Sequence, residues 1–135
     1  SKLDVDKCME NWQTLEEAEK SGAEAFASTK FPSLGVTSVR AKFADRETTR
    51  ARLENFKSRW GEIRSRLAEQ LLPADEIKRR LEVVGAPTSP EAIGSTAEAT
   101  LADVRKTIFM RDRYMSLDFL ALTGQLDEFA ARALA

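Results

Sequence analysis

The chain has 135 residues and a mass of 15.1 kDa, the size of one domain. Its composition, 42% hydrophobic and 32% charged, excludes a disordered or low-complexity polymer. With 21 basic and 22 acidic residues it also lacks the cationic excess of a dedicated nucleic-acid binder. One cysteine, Cys8, excludes an intrachain disulfide and a thiolate metal site. Histidine is absent, which removes Ser-His-Asp and Cys-His catalysis together with imidazole ligation. Ser1 to Asp6 has no apolar signal stretch, and no apolar run would cross a bilayer, so the expectation is a soluble, cytoplasmic protein without a membrane span.

Periodicity is helical almost throughout, and no stretch alternates like a strand. Val5, Cys8, Met9, Trp12 and Leu15 fall three and four apart, which predicts a first helix ending at Ser21-Gly22. An Ala-rich segment, 23–30, should stop before Phe31-Pro32, because proline disfavours helical geometry in its predecessor. Pro32 to Gly35 reads as a loop. The tract 37–72 reads as two helices or one bent one, carrying the apolar stripe Leu53, Phe56, Trp60, Ile63 and Leu67. Gly61 lies inside that stripe at a cost of about 1 kcal/mol relative to Ala and admits a bend there.

Beyond Pro73, Asp75 and Glu76 suit a first helical turn, Ile77, Leu81 and Val84 mark a buried face, and Gly85 marks a stop. Ser89 can cap a short turn beginning at Pro90, and Ser95 to Glu98 fits a capping box. The next helix should bury Leu101, Val104 or the Arg105 stem, Ile108 and Phe109. Gly124 separates two last segments, 116–123 and 125–134. The expectation is therefore all-α: residues 1–135 as one domain, a bundle of roughly seven to nine helices. Leu53, Phe56, Trp60, Ile63, Leu67, Leu81, Val84, Ile108, Leu117 and Leu120 should be largely buried.

Charge is uneven: residues 31–72 carry +4, against −3 before and −2 after them. A phosphate-contacting face is one reading; a solvated face that complements acidic neighbours is the favoured one, because the bases interleave with Asp45, Glu47, Glu54 and Glu62. Glu16 and Glu19 can share a helix face, yet two carboxylates without histidine make a poor transition-metal site. Trp12 and Trp60 read as core anchors and Cys8 as a buried structural thiol. The string Arg111 to Asp118 is the most specific. Arg111, Arg113 and Tyr114 are substrate-cleft candidates that could clamp a phosphate or carboxylate. Equally, Arg113 could pair with Asp112 or Asp118, and Tyr114 could pack with its hydroxyl hydrogen-bonded; residue types favour this structural role.

Three strings in order, Leu72-Pro73-Ala74-Asp75-Glu76-Ile77, Leu81 to Gly94 with its Gly85-Ala86-Pro87-Thr88-Ser89-Pro90 connection, and Met110-Arg111-Asp112-Arg113-Tyr114-Met115-Ser116-Leu117-Asp118-Phe119-Leu120, carry a family resemblance. They are similar to the C-terminal part of bacterial sn-glycerol-1-phosphate dehydrogenases, of the dehydroquinate synthase-like and iron-containing alcohol dehydrogenase superfamily. Trp12, Phe31-Pro32 and the helix ending near Leu72 fit the preceding region loosely, and Met115 stands where that family usually has Thr.

The resemblance implies the helical C-terminal domain of a longer oxidoreductase that converts dihydroxyacetone phosphate to sn-glycerol-1-phosphate. In such enzymes an N-terminal α/β domain binds NAD(P). One Asp and two His hold a divalent metal (Zn, Ni or Fe) that polarises the alcohol as hydride passes to the nicotinamide. None of those residues carries over, since this chain has neither histidine nor a Gly-rich phosphate-binding turn. The chain alone is therefore expected to be inactive and to hold no cofactor or metal. Its expected partners are the α/β nucleotide-binding domain of the parent and other copies of itself, with no nucleic acid. The alternative is a free-standing helical interaction module without catalysis.

Overall fold

Asp4 opens the first helix, its carboxylate accepting the Lys7 N–H at 3.1 Å. That helix, α1, is only Val5–Met9 in the computed structural model, which describes residues 2–134. The single helix expected to run to Gly22 is thus divided. Thr14 explains why: its hydroxyl accepts the Glu17 N–H at 3.3 Å while the Glu17 carboxylate accepts the Thr14 N–H at 2.8 Å. This reciprocal box starts a new helix, α2, Leu15–Phe26.

Gly22 does not end a helix. It lies buried inside α2 against Gly35, which itself sits in α3, Leu34–Lys42, and not in a loop. A Cβ on Gly22 would stand 2.8 Å from the Gly35 carbonyl, and one on Gly35 would collide with the Gly22 carbonyl. Two glycines let two helix backbones approach where any side chain would hold them apart. The α2–α3 pair is the most extensively packed in the chain.

The tract expected to hold one or two helices holds α3 and two more, α4, Arg46–Ser58, and α5, Trp60–Gln70. Asp45 starts α4 by accepting the Thr48 N–H at 2.7 Å. The break within the stripe falls at Arg59, whose φ of −100° and ψ of 9° leave helical geometry, and not at Gly61. Leu53 is buried, whereas Phe56, Trp60 and Ile63 are half-buried and Leu67 is 42% exposed.

α6, Ala74–Val83, has its acidic first turn as expected, with Glu76 bonded to Arg79 and Arg80. Its expected core face is a correction: Ile77, Leu81 and Val84 are exposed, Val84 at 75%. Among the described residues no other element packs extensively against α6, and its apolar stripe meets solvent. Gly85 stops the helix at a φ of 71°, and the Ala86 N–H donates to the Leu81 carbonyl at 2.9 Å.

After the Pro-rich connection, Ser89 receives the Ala92 N–H at the single 3-10 turn, Glu91–Ile93. α7, Ala97–Thr107, is capped by Thr96, which accepts the Ala99 N–H at 3.1 Å. Its cap is therefore one residue beyond Ser95, so Glu98 is no longer placed to close the expected box. α8, Ser116–Leu122, and α9, Leu126–Leu134, flank Gly124, whose φ is 70°. Leu117, Leu120 and Ile108 are half-buried.

The architecture is all-α, nine α-helices among the described residues. Val5, Cys8, Met9 and Leu53 form the core where α1 meets α4, with Trp12, Phe119 and Leu122 packed around it. α9 packs on α7 and α8, and the Arg105–Asp127 pair at 2.8 Å joins α7 to α9. Burial raises the Cys8 thiol pKa, with Asp4 adding to the effect. No helix among the described residues is long and apolar enough to cross a membrane.

Candidate functional site: an apolar cavity beside the Arg111–Asp118 string

Five stretches meet around a cavity of about 330 Å³: the α1–α2 turn, the end of α3, α4, the residues after α7, and α8. Local structure explains each wall. The Trp12 indole N–H donates to the Ala44 carbonyl at 3.2 Å, and its ring stands 6.3 Å from that of Phe43. Arg46 lies 5.7 Å over the same indole, a cation–π contact that covers its outer face. From α8, Phe119 packs on Phe56 of α4 with ring centroids 4.3 Å apart.

One wall carries a charged pair. Lys42 Nζ lies 2.6 Å from Asp118 Oδ1, and their side chains keep only 10% and 11% of their surface. Lys42 also donates to the Ile108 carbonyl, and the second Asp118 oxygen accepts the Met115 N–H at 2.8 Å. Both charges are thereby paired and hydrogen-bonded, the condition under which buried charge is tolerated. The pair ties α3 to α8 and to the chain leaving α7.

Of the three substrate-cleft candidates, only Tyr114 lines the cavity. Tyr114 keeps 47% of its surface; partial loss of water, reinforced by the nearby Asp118 charge, pushes its hydroxyl up to about 12, while Arg52 pulls the other way. The phenol is thus protonated at neutral pH and makes no hydrogen bond among the described residues, contrary to the bonded hydroxyl expected. Arg111 is exposed. Arg113 keeps 83% of its side-chain surface and reaches Asp112 at 3.8 Å, while Asp118 is taken by Lys42. The string therefore does not form one clamp.

The remaining cavity residues were not legible as a group. Lys42 is separated from Asp118 by four α-helices and the Pro-rich connection, and no local pattern links them. Arg52 belonged to the basic excess of 31–72, much of which is paired: Arg59 and Arg66 locally with Glu62, Arg40 and Arg50 with Glu19 and Asp6 of preceding helices. That pattern matches the solvated, complementary face the interleaving predicts. The Arg40 guanidinium holds the Glu19 carboxyl below its ordinary range.

Among the described residues no group of three or more Cys, Asp or Glu side chains gathers as a metal site. The donor set of the resembled dehydrogenases, one Asp and two His, does not fit these residues, since the chain has no histidine. Comparison with protein-family models, with curated proteins and with solved structures found no match.

Proposed function

We propose that this chain is the helical C-terminal domain of an NAD(P)-dependent, glycerol-1-phosphate dehydrogenase-like oxidoreductase. Metal and nucleotide belong, on this reading, to an α/β part of the parent, against which these helices form one wall of a cleft. The observation that carries it is the apolar face left open between Leu67 and Ile93. Leu71 is 63% exposed, Val83 74% and Ile93 69%, with Leu72, Ile77 and Leu81 beside them. A cluster of exposed large aliphatic residues on one stretch of chain calls for a covering body. The resemblance of the three strings names the class of that body, and two of the strings, from Leu72 to Gly94, coincide with the open face.

The test is the product of the whole reading frame that encodes the chain. Reduction of dihydroxyacetone phosphate, followed at the nicotinamide absorbance band and abolished by chelator, is the expected result. The 135-residue chain alone should show no turnover. Turnover by that chain, or a reading frame with no nucleotide-binding half, overturns the proposal; the second outcome favours the free-standing interaction module.

A further inference from the structure

We infer that the cavity between α3, α4 and α8 is a binding site for a small amphipathic carboxylate, its apolar tail among Phe56, Phe119 and Leu53 and its head between Arg52 and Tyr114. The inference does not depend on the oxidoreductase reading.

Size bounds the occupant first. A volume of about 330 Å³ lies at the small end of the roughly 300–1,000 Å³ span of ligand pockets. The walls are mostly aromatic and aliphatic, which suits a tail without polar atoms.

The polar atoms decide the head group. Nearly all of them are already engaged within the protein. Lys42 and Asp118 satisfy each other together with the Ile108 carbonyl and the Met115 N–H. The Asn11 amide donates to the Leu122 carbonyl at 3.0 Å, Gln13 to Ser21, and the Thr49 hydroxyl to the Ala44 carbonyl. Arg52 and Tyr114 remain, both lining the cavity and neither making a hydrogen bond or ion pair among the described residues. Arg52 acts on the Asp45 carboxylate, but that group is committed to capping α4 through Thr48. A guanidinium has donors only, and a protonated phenol offers one more. Both side chains are exposed to solvent at the cavity mouth, so what they offer a ligand in exchange for water is donors, and the positive charge makes the matching acceptor an anion. An ammonium head would meet Arg52 with like charge; an alcohol would satisfy Tyr114 and leave the guanidinium unanswered.

Octanoate, with about ten non-hydrogen atoms, is the probe, set against octan-1-ol and octylammonium of the same length. Titration calorimetry on the product of the whole reading frame should show octanoate binding about tenfold tighter than the alcohol, as expected for a charge-assisted bond, and octylammonium not binding. Arg52→Gln, at an exposed position of α4, should reduce octanoate to the level of the alcohol and leave the alcohol unchanged. Ala121→Phe, placed on the cavity wall, should abolish binding of both while helix content by circular dichroism is retained. Equal affinity for octanoate and octan-1-ol, preference for octylammonium, no binding at all, or octanoate binding untouched by Arg52→Gln each overturns the inference. If Ala121→Phe unfolds the chain, the Arg52→Gln comparison decides alone. Because the readout is binding, a failed dehydrogenase assay and a failed octanoate titration are separate results.

Discussion

α4 and α5 follow one another across a single non-helical residue and carry one continuous apolar stripe, yet they end in different surroundings. Leu53 of α4 retains 1% of its surface, while α5 and α6 contain no buried residue. The difference lies outside the helices themselves. α4 is met by α1, and its Phe56 by Phe119 of α8, whereas no comparable partner packs on α6. An amphipathic period states which face of a helix would be buried; it does not state that anything lies there.

The largest effect that tests this contrast is at the charged pair of the packed region. Asp118→Ala should destabilise the chain by about 3–5 kcal/mol in denaturant titration, because Lys42 is left charged and enclosed. Glu76→Gln, on exposed α6, should shift the transition only slightly, because its pairs with Arg79 and Arg80 stand in solvent; an equal loss at the two sites would break the contrast. Leu53→Ala should cost about 2–5 kcal/mol by the same measurement. Leu81→Ala, with 39% of the side chain's residue exposed, should stay within about 0.5 kcal/mol. A large loss at Leu81 would mean that α6 is covered within the chain itself.

A smaller effect is expected where α2 meets α3. Gly35→Ala should cost about 1–3 kcal/mol, since its methyl must displace the Gly22 backbone, while Gly61→Ala, which has open space around it, should stabilise α5 by about 1 kcal/mol. At the start of α8, Met115 occupies an N-cap with extended geometry, φ −124° and ψ 171°, without a capping side chain. Met115→Thr should add about 1 kcal/mol in thermal unfolding by supplying the missing hydroxyl.

The pH dependence has two limbs. Glu17 and Glu19 are held below the ordinary 4.5, chiefly by hydrogen bonds from the Thr14 N–H and from Arg40. Asp45 is held below 3.8, chiefly by the Thr48 N–H. A depressed carboxyl contributes stability that is present above its unfolded value and lost as pH falls through the folded one. Stability should therefore fall on acidification from about pH 4.5 downward. Tyr114 acts with the opposite sign: raised from 10.0 to about 12, it favours the fold below pH 10 and loses that contribution as pH climbs to about 12. Tyr114→Phe should shrink the alkaline limb, leaving the part that the raised Cys8 thiol contributes, and keep the acid one, as read from midpoints across a pH series.

Much of the architecture was legible in the residues. Helical class, the stop at Gly85, the turn at Pro90 and the break at Gly124 all follow from local chemistry that needs no partner. The Thr14–Glu17 box was equally local, a Thr followed three residues later by a Glu, and it was the signal that would have divided the first helix correctly. Of the site, Tyr114 was named and Asp118 lay in the named string, but their surroundings were not visible.

Only the tertiary structure decided the rest. Gly22 looks like a helix end and Gly35 like a loop residue in one dimension, and they become a contact point once two helices are laid together. Lys42 looks like one more base on a solvated face until α8 brings Asp118 to it. Propensity, caps and turns act over three or four residues, so the sequence by itself determines them. Burial and charge pairing depend on which distant segment arrives, and that is decided by packing the whole chain at once.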